Sequence, residues 1–339
     1  MLPAACQEIR SCACRRLFSR QCLTGPVTDF LNGSGFLDVG DGHSLYWEDW
    51  GNPDGIPVVC LHGGPGAGFK DSHKALFDPA VHHVLFHDQR GCGRSRPVAG
   101  TAHNTTQHLI GDIEALMEHV GWETAHVAGG SWGSTLSLLF AIERPHRVRS
   151  LLLWSIYLAR PWENNWVTEG YPRFHLPAEW ERFIGLVPAG HRSDGHAVMT
   201  YYAEKMRDDD QETARKFALE WTLWEAVLTS IKYEPAEVER EITADPASVG
   251  IALVETHYFQ HGCFIAPDHI LDSLAAIRSI PAVVVQGRFD LCTPPITAYE
   301  LARAYGEKLT LRMVNSGHVR TDPEMFAALR TAAAALPEV

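Results

Sequence analysis

Ser131 stands inside Gly129-Gly130-Ser131-Trp132-Gly133, between a short apolar run, Ala125-His126-Val127-Ala128, and a helix-like stretch over residues 134–143. Glycine two places before and two places after a serine lets a strand turn sharply into a helix with little side-chain crowding. Such a turn holds the hydroxyl at a strained tip, beside the N–H groups of the helix start. Ser131 is therefore a candidate nucleophile. The pattern alone is weak, since turns use glycine and serine freely; its position between strand and helix is what gives it weight.

A serine needs a base to take its proton and an acid to orient that base. One of the chain orders in which such a trio occurs is Ser, then Asp or Glu, then His. With 18 histidines in the chain, a histidine cannot be chosen by type alone. Beyond Asp290, however, only His318 remains. Asp290 closes a strand-like run over 281–290, and His318 follows the apolar alternation of 309–314. Both sit just past carboxyl ends of strands, where open α/β sheets place ligands. Taken singly, Asp290 reads equally well as a turn aspartate and His318 as a surface histidine; in this order behind Ser131 they read as a triad. Leu61-His62-Gly63-Gly64-Pro65-Gly66, after the apolar Pro57-Val58-Val59-Cys60, offers an oxyanion hole. The donors would be the N–H groups of Gly64 and Trp132. An ordinary Gly/Pro turn is the alternative, and it leaves the His-Gly-Gly run unexplained.

The elements that must carry these residues alternate. A hairpin with Asp41-Gly42 at its turn opens the pattern, and strands follow over 58–61 and 81–87. A helix is expected over 106–120, with Leu109, Ile113, Leu116, Met117 and Val120 on one face and Gly121 closing it. The turn at Ser131 comes next; Pro145 stops its helix, and a buried strand runs over 148–154. Strands alternating with helices imply an α/β fold with a mainly parallel sheet covered by helices. From 158 to 263 the alternation stops and helical stretches rich in Trp, Tyr and Glu take over. This interval reads as an α-helical cap inserted into the sheet domain and hanging over Ser131. The expected division is an N-terminal extension, 1–30, without structure; a catalytic domain, 31–157 with 264–339; and a cap, 158–263.

Composition narrows the partners. The chain is 45% hydrophobic and 21% charged, ordinary for a globular enzyme. Its formal net charge of −12 argues against nucleic acid or an anionic membrane as partner, and no apolar run approaches the ~20 residues that span a bilayer. Of eight cysteines, Cys6, Cys12, Cys14 and Cys22 crowd the start, while Cys60, Cys92, Cys263 and Cys292 are scattered. That spread suits a reducing cytoplasm better than a disulfide framework. Cys12-Ala13-Cys14 lacks the spacing and histidine partners of a zinc site. Arg10, Arg15, Arg16 and Arg20 face a single acid, Glu8. Arg-rich, acid-poor sequence can be a transit peptide, but Pro3, Gly25 and Pro26 limit any helix, and no apolar h-region of a secretory signal is present.

Together, His62-Gly63-Gly64-Pro65-Gly66, Asp88-Gln89-Arg90-Gly91-Cys92-Gly93-Arg94-Ser95, Asn104-Thr105-Thr106 and Gly129-Gly130-Ser131-Trp132-Gly133-Ser134 resemble the prolyl iminopeptidases. These are α/β-hydrolase serine peptidases that release an N-terminal proline. The resemblance continues through Gly287-Arg288-Phe289-Asp290 and Gly317-His318, so it spans from about residue 33 to the C-terminus. It also covers two cap segments, Trp221-Thr222-Leu223-Trp224-Glu225 and Glu255-Thr256-His257-Tyr258-Phe259. By that resemblance Glu225 and Glu255 would hold the substrate ammonium, and Phe259 and Tyr157 would border the proline ring.

The chemistry is sound in itself: a protonated imino group has two N–H donors and a positive charge, and two adjacent carboxylates that repel each other favour a cation between them. Without the resemblance these glutamates read as solvated helix residues and the aromatics as cap core. Two departures from the family pattern stand out. Tyr157 takes the place of an expected phenylalanine, adding a hydroxyl that needs a partner, and Trp166-Val167-Thr168 is less aromatic than the family pattern. His257 and the charged residues of 88–95 read as scaffold. The expectation is a prolyl aminopeptidase acting through an acyl-enzyme, with no cofactor and no metal, on peptides bearing N-terminal proline; a homo-oligomer is compatible with the sequence. The alternatives are an esterase or amidase of the same fold for small acyl substrates, and an inactive hydrolase-fold protein that binds a ligand.

Overall fold

The structure, a computed structural model, describes residues 30–337. The extension read over 1–30, with its four cysteines and its arginines, lies outside the described residues except for Phe30. Eight strands form one sheet: β1 (Leu31–Asp38), β2 (Ser44–Gly51), β3 (Ile56–Leu61), β4 (His82–His87), β5 (Ala125–Ser131), β6 (Val148–Ile156), β7 (Ala282–Gly287) and β8 (Leu309–Val314). Their spatial order is β1-β2-β4-β3-β5-β6-β7-β8. β1 pairs antiparallel with β2, and β2 with β4. Every later pair is parallel. The opening hairpin is longer than its sequence pattern suggested, because β1 begins at Leu31 and pairs through Gly33 and Gly35, which carry no apolar signal.

Parallel strands buried on both faces read as continuous apolar runs, and successive side chains then divide between two cores. In β3, Val59 and Leu61 join one core while Val58 and Cys60 join the other. In β6, Leu151 and Leu153 part from Leu152 and Trp154 in the same way. The first face is covered by α2 (Thr106–His119) and α3 (Trp132–Glu143), after the single turn α1 (Asp71–Lys74). Helix α2 buries Leu109, Ile113, Leu116 and Met117, a stripe at helical spacing; each such side chain contributes about 1.5–3 kcal/mol when removed from water. Val120 falls at the helix end instead, and Gly121 follows with φ 77°. The opposite face is covered by α12 (Pro323–Ala333) through Met325, Leu329 and Ala332.

Between β6 and β7 the chain is helical: α4 (Pro161–Trp166), α5 (Pro177–Gly185), α6 (Gly195–Lys205), α7 (Gln211–Thr229), α8 (Pro235–Ala244), α9 (Ser248–Gln260) and α10 (His269–Ser273). Its centre is aromatic. Phe183 stacks on Tyr202 at 4.4 Å between ring centres and on Trp224 at 5.5 Å, with Trp221 beside them. Helix α11 (Pro295–Tyr305) then connects β7 to β8. Among the described residues no helix is long and apolar enough to cross a membrane.

Candidate active site

Strand β5 ends on Ser131 and α3 begins on Trp132, with no residue between. Ser131 sits at φ 56°, ψ −128°, a left-handed conformation that is costly for a residue with a Cβ. The surrounding packing enforces it. A Cβ on Gly129 would lie 2.3 Å from the Gly133 carbonyl oxygen, and one on Gly133 would lie 2.3 Å from that of Leu61. Only glycines allow so tight a corner. Although Ser131 occupies the N-cap position, its side chain makes no capping hydrogen bond, so the hydroxyl stays free and faces the cavity.

The loops after β7 and β8 bring Asp290 and His318 together. His318 Nδ1 lies 2.9 Å from Asp290 Oδ2 and 3.1 Å from Oδ1. Asp290 is buried and held on every side: Oδ1 accepts from the backbone N–H of Cys292 and Thr293, and Oδ2 from Thr293 Oγ1 and Gln286 Nε2. An ionised carboxylate only accepts, so Asp290 places the ring proton on Nδ1 and leaves Nε2 as acceptor. Ser131 and His318 border the same cavity without a direct hydrogen bond. Thr293 and Gln286 were not singled out from the sequence. Polar residues at a strand end and in the following loop carry no local signal of what they will cradle.

The glycine loop after β3 approaches the same serine. A Cβ on Gly63 would stand 3.3 Å from Ser131 Cβ, and Gly64 borders the cavity beside Ser131. The Gly64 N–H makes no backbone hydrogen bond among the described residues, and the Trp132 N–H, at the first helical position, has no partner within its helix. Both candidate donors are thus available. Their frame is a buried network: Gln89 N donates to His62 Nε2, Gln89 Nε2 donates to the His62 carbonyl, and Trp132 Nε1 donates to Gln89 Oε1. His62 Nδ1 then donates to the Gly63 carbonyl at 2.8 Å. Burial holds the His62 ring neutral by lowering its pKa. The charged residues of 88–95 brace this frame: Arg90 pairs with Asp112 at 2.8 Å, and Arg94 pairs with Asp88 at 2.7 Å. His257 Nε2 donates to the Asn104 carbonyl at 2.9 Å and borders neither cavity at Ser131.

Helices α7 and α9 deliver Glu225 and Glu255 to this cavity, which measures about 130 Å³ and also meets Tyr157 and Phe259. The two carboxyls are hydrogen-bonded to each other, and Trp221 Nε1 donates to Glu255 Oε2 at 2.9 Å. Burial raises both pKa values; Glu225 is pushed well above the ordinary glutamate range, with the Glu255 charge adding to the rise. The pair therefore holds a proton more readily than ordinary glutamates do. Phe259 meets Tyr157 edge-on at 6.0 Å. The extra Tyr157 hydroxyl finds a partner in Asn164 Oδ1, a residue that sequence reading passed over. Cys292 also borders the cavity, but burial and then the Glu225 charge push its thiol well above the ordinary range. Few thiolates would form there. Among the described residues one surface group, Asp41, His103 and His108, could meet a metal ion, and none of the three borders the cavity.

A family described as the alpha/beta hydrolase fold matches residues 56–320. A proline iminopeptidase of Neisseria meningitidis is 42% identical over 299 residues, covering 87% of this chain and 93% of that one. A proline iminopeptidase of Arabidopsis thaliana is 38% identical over 312 residues, covering 92% and 81%. Among solved structures, an esterase from Exiguobacterium antarcticum superposes with a TM-score of 0.61 at 17% identity, covering 89% of this chain and 98% of that one. A proline iminopeptidase-related protein from Thermus thermophilus gives 0.59 at 21%, covering 90% and 98%. At such identities the structural likeness speaks for the fold alone.

Proposed function

Since the chain belongs to the proline iminopeptidase family of α/β hydrolases, we propose that it is an aminopeptidase releasing N-terminal proline, with Ser131, His318 and Asp290 as its catalytic triad. The observation that carries the substrate assignment is the pair of hydrogen-bonded carboxyls, Glu225 and Glu255, in the cavity that Ser131 and His318 also border. Two buried acids are costly unless a cation joins them. A prolyl ammonium supplies that cation and two N–H donors, and Phe259 and Tyr157 present ring edges and faces to the pyrrolidine. An esterase for small uncharged acyl groups has no use for such a pair.

In this mechanism Ser131 Oγ attacks the prolyl carbonyl while His318 Nε2 takes its proton, and Asp290 stabilises the resulting imidazolium. The N–H groups of Gly64 and Trp132 hold the oxyanion. His318 returns the proton to the departing amine, and water then releases proline from the acyl-enzyme. Helices α4 to α9 act as a cap, over roughly 158–263, whose task is to set the acid pair opposite the serine. The four described cysteines are free, which suits a cytoplasmic enzyme.

The test compares proline β-naphthylamide with p-nitrophenyl acetate in Glu225→Gln and Glu255→Gln. Losing one partner of a desolvated charged contact costs about 2–5 kcal/mol, so kcat/KM for the prolyl substrate should fall roughly 30-fold to several thousand-fold. Part of the loss should appear in kcat, because the anchors position the scissile carbonyl. The ester, which has no amine, should be hydrolysed nearly as before. Parallel losses on both substrates would remove the amine-anchor reading. An N-acetylated prolyl substrate should also be refused by the wild type.

A further inference from the structure

A second cavity, about 450 Å³, also borders Ser131, and side chains of opposite charge line it. Glu225 and Glu255 line it from α7 and α9, Lys70 and Arg320 from the loops after β3 and β8, and Ser131 and His318 border it as well. Arg320 is unusual because no carboxylate among the described residues balances it. It forms no ion pair among the described residues; its Nη2 meets only Ser72 Oγ and His73 Nδ1, both uncharged, and its Nε is buried without a partner. The acids closest in sequence are engaged elsewhere: Asp322 accepts from Ser316 Oγ and the Gly317 N–H, and Asp71 pairs with Lys74. Lys70 is exposed and likewise forms no ion pair among the described residues. A desolvated cation without a counterion is costly, and guanidinium matches a carboxylate with two parallel N–H donors.

We infer that Lys70 and Arg320 form a subsite in this cleft for the free C-terminal carboxylate of short peptides, so that the enzyme is tuned to di- and tripeptides with a charge at each end. The inference rests on the exopeptidase reading, which puts the ammonium at Glu225 and Glu255 and the leaving peptide beyond the scissile bond. Burial lowers the Arg320 guanidinium to about 10, the direction expected of a cation awaiting its partner. The alternative role for Arg320 is a tether between the loop after β8 and the turn at Ser72 and His73, which would matter equally for every substrate.

The experiment compares kcat/KM for Pro-Ala and Pro-Ala-Ala with that for their C-terminal amides, with proline β-naphthylamide as a reference lacking any carboxylate. Wild type should favour the free acid over the amide about tenfold or more at one of the two lengths at least, the size of one good charged contact. Arg320→Gln should cut that acid-over-amide ratio about tenfold, Lys70→Ala should cut it less, and Arg320→Lys should keep part of it. A wild-type ratio near one at both lengths overturns the subsite, and needs no variant to be read. So does an Arg320→Gln enzyme in which acid and amide fall together, the mark of a tether. Failure of the exopeptidase reading looks different: the wild type would leave proline β-naphthylamide uncut.

Discussion

Ser131 shows how much one backbone conformation can decide. Its left-handed φ is enforced by glycines whose neighbours leave no space for a Cβ, and strain of this kind, of order 1–3 kcal/mol, persists only where packing over-determines it. The hydroxyl itself caps nothing. Ser131→Ala should therefore keep the wild-type melting temperature within about a degree or two while kcat falls on the order of 10³-fold or more, the usual result of removing a triad member. Thermal denaturation and steady-state kinetics on the same preparation read both halves. Turnover within tenfold of wild type would remove Ser131 from the nucleophile's role. The residues around it were unequally legible. The glycine pattern is a local steric demand and shows in five consecutive letters; Thr293 and Gln286, which hold Asp290, are ordinary polar residues until the chain folds round them.

At the scale of elements, α7 and α9 pack so that two acids thirty positions apart share one proton. This arrangement works against stability. Both folded-state pKa values are raised, so the native protein keeps a proton that the unfolded chain gives up above the ordinary glutamate range, near 4.3. Stability contributed by the protonated pair is whole below that value and is lost as pH rises toward the raised folded value. Glu225→Gln removes one acid and keeps the shape. It should raise the melting temperature on the order of 1–3 °C at pH 8 and change it little at pH 4.5, while activity on the prolyl substrate drops. Melting curves of both proteins at the two pH values check this. A variant that melts below wild type at pH 8 would mean that the pair stabilises the fold instead of straining it.

For the whole molecule, the opposite sign comes from the sheet and its flanks, which hide neutral histidines. Burial lowers His87 to about 3 and His126 to about 4, and lowers His62 and His73 as well. In the unfolded chain these rings protonate near 6.5. Their contribution is complete above that value and is lost progressively as pH falls toward the depressed folded values. Each such ring steepens the loss by about 1.4 kcal/mol per pH unit within that window. Urea denaturation midpoints should thus drop from pH 6.5 downward, with more than one proton taken up on unfolding. Midpoints that stay level between pH 6.5 and 5 would contradict the neutral-histidine account.

The sheet-and-helix alternation, the serine corner and the order Ser131, Asp290, His318 are legible in the chain before it folds. Each is written in neighbouring residues: apolar alternation sets strands, a helical stripe sets α2, and paired glycines permit a turn nothing larger could make. The sequence also marked Glu225 and Glu255, though only through likeness to a family, because a glutamate on a helix surface looks the same whether it meets water or another acid. Only the assembled chain shows that these two acids meet, that Tyr157 finds Asn164, that β3 lies between β4 and β5, and that Arg320 forms no ion pair among the described residues. The reason is common to all four. Local motifs record what the backbone can do within a few residues, whereas burial, shared protons and missing counterions belong to groups brought together from distant parts of the chain.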